Sequence, residues 1–101
     1  DARRAAFALS ALVRTSIDEA HGTDLSGLAD SEWVDRLRPG PMADPAIAAT
    51  CLELLTTLES IELGGERPGP FAWEDLVHRA RTVVDDALRG TLPVANGEGQ
   101  R

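Results

Sequence analysis

Lysine and tyrosine are both missing from this 101-residue chain. All ten basic residues are arginine, so the chain has no lysine that could form a Schiff base, anchor pyridoxal phosphate or serve a P-loop. Aromatic residues make up only 4% of the sequence, which leaves leucine, valine, isoleucine and alanine to build the core. That composition suits helix-on-helix packing better than a β-sandwich, which favours β-branched and aromatic residues.

The sequence is also poor in cysteine, in long apolar runs and in positive charge, and each of these features excludes further classes of protein. The lone cysteine, Cys51, cannot form an internal disulfide and fits a reducing cytoplasm. No apolar run approaches the roughly 20 residues that span a bilayer, and the first residues show no signal-peptide pattern. The formal net charge of −7 repels phosphate backbones but can attract cationic peptides. We therefore expect a cytoplasmic protein that binds neither nucleic acid nor membrane.

Apolar residues at helical spacing, separated by glycine and proline, predict four helices. They run over about residues 2–21, 31–38, 45 to a stop at Gly64-Gly65, and 71–89. Gly22 ends the first helix, Asp30 or Ser31 caps the second, and Asp44 caps the third. The sequence thus predicts an all-α fold, a small bundle of about four helices.

The predicted helical domain covers residues 1–90. Residues 91–101 carry no periodic signal and are predicted to form a flexible C-terminal tail. A chain of 101 residues is too short for a second core. Dimerisation is a common way for so small a domain to enlarge its core, so we expect a homodimer.

Two glutamates, Glu59 and Glu62, fall within the apolar arc of the third helix, whereas Glu53 falls outside it. A carboxylate among aliphatic neighbours loses hydration, which raises its pKa and prepares it to act as a base. Negative charge near a helix C-terminus is also unfavourable. In one interpretation both side chains extend past the end of the bundle into water, because unpaired carboxylates are seldom fully buried. The other places them in a pocket or beside an arginine.

The two histidines lead to different expectations. His78 lies at the centre of the polar face of the fourth helix and is expected to be solvated. His21 ends the first helix, where a histidine interacts favourably with the helix dipole. It could alternatively reach a cleft as an acid or base, and Asp18, Asp24 and Trp33 are the nearby groups that could share that cleft.

The larger aromatic side chains also have two interpretations. Trp73 continues the apolar stripe of the fourth helix and is predicted to pack in the core. Trp33 lies on a short helix between loops, where core packing is the default and lining a ligand pocket is the alternative. Phe7 falls on the more polar side of the first helix, near Arg14 and Asp18, as an exposed ring or a subunit contact.

Metal and cofactor sites have little support in the sequence. Di-iron bundles need paired Glu-x-x-His motifs, which are missing, and the spacing of His21, His78 and Cys51 fits no recognised zinc pattern. Cys51 itself lies in an apolar arc, where an inert buried thiol is the default. We therefore expect no metal and no cofactor.

The stretch Asp18-Glu19-Ala20-His21-Gly22-Thr23-Asp24, together with size, helical content and acidity, resembles one small group of proteins. These are the lysinoalanine-forming proteins of cinnamycin- and duramycin-type lanthipeptide clusters in actinobacteria. The resemblance implies a homodimeric helical enzyme that needs no cofactor. Such an enzyme closes a crosslink in a small peptide by adding a lysine amine to dehydroalanine.

That reaction needs proton transfer and a wall that positions the peptide. The candidates for proton transfer are His21, Glu59 and Glu62, and those for substrate binding are Trp33, Arg36 and Asp24. The alternative function is a non-catalytic acidic interaction module that binds a partner through its surface or a helix groove.

Overall fold

The computed structural model describes residues 2–64 and 67–91, and these residues form four α-helices and no strand. The helices are α1 (Ala2–His21), α2 (Asp30–Arg36), α3 (Pro45–Gly64) and α4 (Pro70–Thr91). The predicted all-α fold is confirmed. Helix α4 continues through Gly90 to Thr91, so the predicted helix end at Arg89 and the predicted start of the flexible tail at residue 91 are wrong; the rest of that tail, from position 92 onward, lies outside the described residues.

The end of α1 follows the sequence prediction. Gly22 adopts a positive φ of 76°, a conformation that glycine reaches without the steric cost of a side chain. The N–H of Gly22 donates to the carbonyl of Glu19, and the N–H of Thr23 donates to the carbonyl of Asp18 over 2.9 Å. These two bonds form a Schellman motif, which turns the chain sharply back along the helix it has just left.

The start and end of α2 differ from the prediction. The N-cap is Ala29, not Asp30 or Ser31, so the predicted cap is wrong. Instead, the N–H of Ala29 donates to the Glu32 carboxylate, 3.4 Å away, which stabilises the helix start from within its first turn. The helix ends at Arg36, two residues before the predicted end, because Pro39 disfavours helical backbone in the residue before it.

The start of α3 agrees with the prediction. The Asp44 carboxylate accepts a hydrogen bond from the N–H of Ala46 over 2.9 Å, and Pro45 occupies the first helical position. The first N–H groups of a helix have no acceptor within the helix. An N-cap side chain accepts a hydrogen bond from one of them, and a proline in the first position has no N–H that needs a partner. Because the start of α3 is fixed, the position of each later residue along the helix is fixed as well, and Glu59 and Glu62 lie in its last turns.

Helix α3 packs against each of the other three helices, and α1 also packs against α4. Leucine dominates the buried part of α3, and Trp33 is the largest fully buried side chain. Trp73 packs against the core from a partly buried position, as predicted. The core residues are Ala6, Val13, Ile17, Trp33, Val34, Leu37, Met42, Ala48, Cys51, Leu54, Leu55, Leu58, Ile61, Leu76, Ala80, Val83 and Ala87.

Candidate functional site

A groove of about 460 Å³ lies where α1, the end of α3 and the segment leading into α2 meet. We call it the acidic groove, because its lining carries four carboxylates and one guanidinium. Its charged residues are Arg14, Asp18, Asp30, Glu59 and Glu62, and its larger apolar residues are Phe7, Leu28 and Leu63.

Helical spacing explains how α1 supplies one wall. Phe7, Arg14 and Asp18 lie seven and four residues apart, so they share one face of the helix. Glu59, Glu62 and Leu63 supply the opposite wall from the last turns of α3. The third wall is formed by residues 26 and 28–30, in the segment that leads from α1 into α2.

Arg14 ties this third wall to α1. One of its terminal nitrogens donates to the Asp30 carboxylate over 3.1 Å, and the other donates to the carbonyls of Leu25 and Leu28 over 2.9 and 2.8 Å. The guanidinium also lies over the ring of Trp33, 5.3 Å from its centroid. A planar guanidinium presents its donors on separate nitrogens in a fixed fork, so it can reach acceptors that lie apart, whereas a lysine ammonium has all its donors on one nitrogen.

Asp18 holds the same segment one helical turn further along α1. Its side chain is buried and accepts hydrogen bonds from the Trp33 indole N–H over 3.0 Å and the Thr23 hydroxyl over 2.9 Å. The N–H of Leu25 donates to its second oxygen over 3.3 Å. Leu25 is therefore held by Asp18 through its N–H and by Arg14 through its carbonyl, which fixes the backbone at the edge of the groove.

Glu62 lines the groove without a cationic partner among the described residues. Burial is the main cause that raises its pKa above 4.5, and the negative charges of Asp30 and Glu59 raise it further. The last turn of α3 contains no basic residue, and no ion pair to Glu62 is formed among residues 2–64 and 67–91. The helix C-terminus adds an unfavourable dipole. A cation or a proton would relieve this repulsion.

Cys51 is buried, interacts electrostatically with two residues of the groove, Asp30 and Arg14, and is unreactive. Burial raises the pKa of its thiol to about 12, the charge of Asp30 adds to that rise, and the charge of Arg14 opposes it. A thiol with so high a pKa carries almost no thiolate at neutral pH, so it is a poor nucleophile. The predicted inert, buried cysteine is confirmed.

Four of the six predicted site residues lie outside the groove lining: His21, Asp24, Arg36 and Trp33. His21 is exposed, and its ring packs on Gly40 so closely that a Cβ there would come within 2.5 Å of its Cε1. Asp24 is exposed and accepts hydrogen bonds from the N–H and hydroxyl of Ser26. Arg36 is exposed on α2. Of the predicted candidates for proton transfer, the structure brings Glu59 and Glu62 together and leaves His21 apart.

Trp33 occupies the core rather than the groove wall, so the default interpretation of this residue holds. Its contribution to the groove is indirect, because its indole N–H holds Asp18. The predicted surface position of His78 is confirmed.

The sequence analysis missed Arg14 and Asp30 as groove residues, and it named Asp18 only as a neighbour of His21 and Phe7. The available signal was the four-residue spacing of Arg14 and Asp18 on the same side of α1 as Phe7. A charged pair beside an exposed ring indicates a face that meets something other than the core. Nothing in the spacing revealed that Asp30 would be their partner.

The rim of the groove is apolar. The side chain of Phe7 is 64% exposed and that of Leu63 is 78% exposed, on opposite walls. Exposed apolar side chains at the edge of a polar groove are typical of surfaces that contact a ligand or a partner. The homodimer expected from the sequence stays a prediction.

No known protein family, curated protein or solved structure matches this chain. The resemblance to lysinoalanine-forming proteins therefore stays a prediction. Among residues 2–64 and 67–91, no helix combines the length and apolar character that crossing a membrane requires. Within the same residues, no three histidine, cysteine or acidic side chains are grouped as metal ligands would be.

Proposed function

We propose that the acidic groove binds a lysine side chain of a small peptide, and that Glu62 accepts a proton from its ammonium group. The supporting observation is the raised pKa of Glu62 in a groove that offers it no cationic partner among the described residues. A substrate ammonium would supply the missing positive charge. A carboxylate whose pKa is raised is also a better base than an ordinary surface glutamate.

The size and rim of the groove support a peptide as the ligand. A volume of about 460 Å³ falls within the range of sites that enclose small ligands. Phe7 and Leu63 offer apolar contacts on either side of the carboxylates. The backbone of the third wall is held by Arg14 and Asp18, so it would not have to be ordered when the peptide binds.

The reaction that we propose is the addition of this lysine amine to a dehydroalanine of the same peptide, as the resemblance implies. Glu62 takes one proton from the ammonium, and the nitrogen lone pair then forms a bond to the β-carbon of dehydroalanine. The π electrons move to the α-carbon, which takes the proton back from the Glu62 carboxylic acid, so that the carboxylate is regenerated. The product is an isomer of the substrate, so no oxidant, reductant or cofactor takes part.

The groove supports different roles for the predicted residues. Glu62 is the proposed base, and Glu59 raises the negative potential that attracts the ammonium group. His21 receives no role in proton transfer, and Asp24 and Arg36 receive none in substrate binding, because all three lie outside the groove lining.

The direct test compares Glu62→Gln with Glu53→Gln, an exposed glutamate on the same helix but outside the groove. Each variant is produced together with a dehydrated lanthipeptide precursor. The crosslink is detected by fragmentation mass spectrometry, because isomerisation leaves the intact mass unchanged. We expect crosslinking with the Glu53 variant and a loss of roughly 100-fold or more with the Glu62 variant, as for removal of a general base. Equal rates for both variants would refute the assignment.

A non-catalytic interaction module is the second candidate, and the exposure of Phe7 and Leu63 favours it. Such a module would bind a basic partner through the same groove, release it unchanged and lose affinity as salt screens the carboxylates. Binding of a precursor peptide without any crosslinked product, in the presence of wild-type protein, would favour the module over the enzyme.

A further inference from the structure

Arg14 is linked to more parts of the groove than any carboxylate that lines it. Its guanidinium donates to Asp30 and to the carbonyls of Leu25 and Leu28, and it covers the Trp33 ring. Three of these partners, Leu25, Leu28 and Asp30, follow one another along the chain from the turn after α1 to the start of α2. Of these partners, Leu28 and Asp30 line the groove, and they would face a ligand only if the wall stayed where Arg14 holds it.

The same side chain divides the charges of the groove. Arg14 pairs with Asp30 at 3.1 Å, and both side chains are largely shielded, with 16% and 19% of their surface exposed. The positive charge of the groove is thereby committed to Asp30 and to two carbonyls. No ion pair links it to Glu62, so the negative charge of Glu62 remains available to a ligand.

We propose that Arg14 is the positioning residue of the acidic groove: it fixes the wall formed by residues 26 and 28–30 and neutralises Asp30, so that the negative charge of Glu62 stays available to the substrate amine. This inference rests on the proposed function. In this role Arg14 does not contact the reacting atoms, because its guanidinium is already hydrogen-bonded to Asp30 and to the carbonyls of Leu25 and Leu28.

Four variants separate the fixing of the wall from the neutralisation of Asp30. Asp30→Asn keeps both carbonyl bonds of Arg14 but removes one negative charge that acts on Glu62. Arg14→Lys keeps the positive charge but loses the planar fork that reaches several acceptors. Arg14→Gln, alone and combined with Asp30→Asn, removes the charge of the guanidinium. Glu53→Gln serves as the control outside the groove.

Two measurements are made on each folded variant. The pKa of Glu62 is followed by carbon-13 NMR of its side-chain carboxyl. Affinity is followed by titration with a blocked tripeptide, acetyl-Gly-Lys-Gly-amide, which carries one ammonium group. Circular dichroism and thermal melts confirm that each variant keeps its helices, so that lost affinity is not mistaken for unfolding.

We expect the Glu62 pKa to fall in Asp30→Asn, to rise in Arg14→Gln and to return toward the wild-type value in the double variant. A residue that only stabilised the fold would not produce this pattern of opposite shifts. Arg14→Lys should bind the tripeptide roughly tenfold more weakly, as expected for loss of one charge-assisted hydrogen bond to the wall. Its Glu62 pKa should stay near that of the wild type.

The proposal is overturned if folded Arg14→Lys binds the tripeptide as the wild type does, or if Asp30→Asn leaves the Glu62 pKa unchanged. Asp30→Asn retains the carbonyl anchors, so it tests the charge role even if Arg14→Gln does not fold. Glu62→Gln separates the two hypotheses. If it binds the tripeptide normally, the proposed function fails; if it alone loses affinity while every Arg14 variant binds normally, only the role of Arg14 fails.

Discussion

The two sides of α1 are held by different kinds of contact. Toward the acidic groove, Arg14 and Asp18 make short, directed hydrogen bonds to side chains and backbone. Toward α4, aliphatic side chains meet around a shallow groove of about 210 Å³, which we call the aliphatic groove. Its apolar residues are Leu9, Leu12, Val13, Val77, Ala80 and Val84.

The difference between the two grooves explains where a specific site can form. Aliphatic packing is proportional to buried area and has no preferred direction, so it secures a helix without fixing any polar atom. Hydrogen bonds fix distances and angles, and a network around Asp18 places the Leu25 backbone on the edge of one groove. The acidic groove therefore has a defined wall, whereas the aliphatic groove is a seam between two helices.

The largest effect on stability is expected from Asp18→Ala. The substitution leaves the Trp33 indole N–H, the Thr23 hydroxyl and the Leu25 N–H without their acceptor. Buried donors that lose a partner are costly, so we expect a loss of about 3 kcal/mol in the free energy of unfolding, measured in urea. Glu19→Ala, an exposed neighbour on α1, should change it by less than about 0.5 kcal/mol. Equal losses would mean that the polar side of α1 contributes nothing specific.

A smaller loss is expected from Val13→Ala in the aliphatic groove. Val13 is only 1% exposed, so truncation removes buried methyl groups and leaves a small cavity, at about 2 kcal/mol. Because no charge is involved, the loss should be the same at low and high salt. Leu12→Ala is the matched control, because Leu12 is 61% exposed; an equal loss there would contradict the assigned packing.

The smallest effect, and of opposite sign, is expected from Glu62→Gln. A carboxyl whose folded pKa is raised binds its proton more tightly in the folded state, so stability falls as pH rises from the ordinary value of 4.5 through the raised one. At pH 7 the amide should therefore stabilise the protein, by about 0.5 kcal/mol after allowance for solvent screening. Below pH 4.5 the gain should vanish.

Glu53→Gln, on the exposed side of α3, should show no comparable gain at either pH. A gain at pH 7 from Glu62→Gln would mean that the acidic groove retains a charge that weakens the fold, as binding and catalytic sites commonly do. A loss in its place would show that Glu62 has a cationic partner in the folded protein.

The helices were predictable because local signals set them. Gly22, Asp44 and Pro45 mark helix ends through their own backbone and side-chain chemistry, and these ends appear where the sequence places them. The cap of α2 was not predictable to the residue. Asp30 is a good N-cap residue in isolation, but here its carboxylate pairs with Arg14 and the helix starts one residue earlier.

The groove depends on contacts between residues far apart in the sequence, which the helical periodicity of apolar residues does not predict. Trp33 and Asp18 are 15 positions apart and meet only because the Schellman turn directs the chain back along α1. A helical wheel assigns Glu59 and Glu62 to the same arc, yet Glu62 is half-buried and Glu59 is exposed. Their different burial depends on how closely other elements pack against each side chain, and helical periodicity contains no such distances.

The most direct test of the central claim is the pKa of Glu62 in the presence and absence of a lysine ligand. Carbon-13 NMR titration of the wild-type protein would follow the Glu62 carboxyl, first alone and then saturated with acetyl-Gly-Lys-Gly-amide. Our account predicts a pKa above the ordinary 4.5 in the protein alone and a fall when the ammonium binds beside the carboxylate. An ordinary pKa that the tripeptide does not move would contradict it.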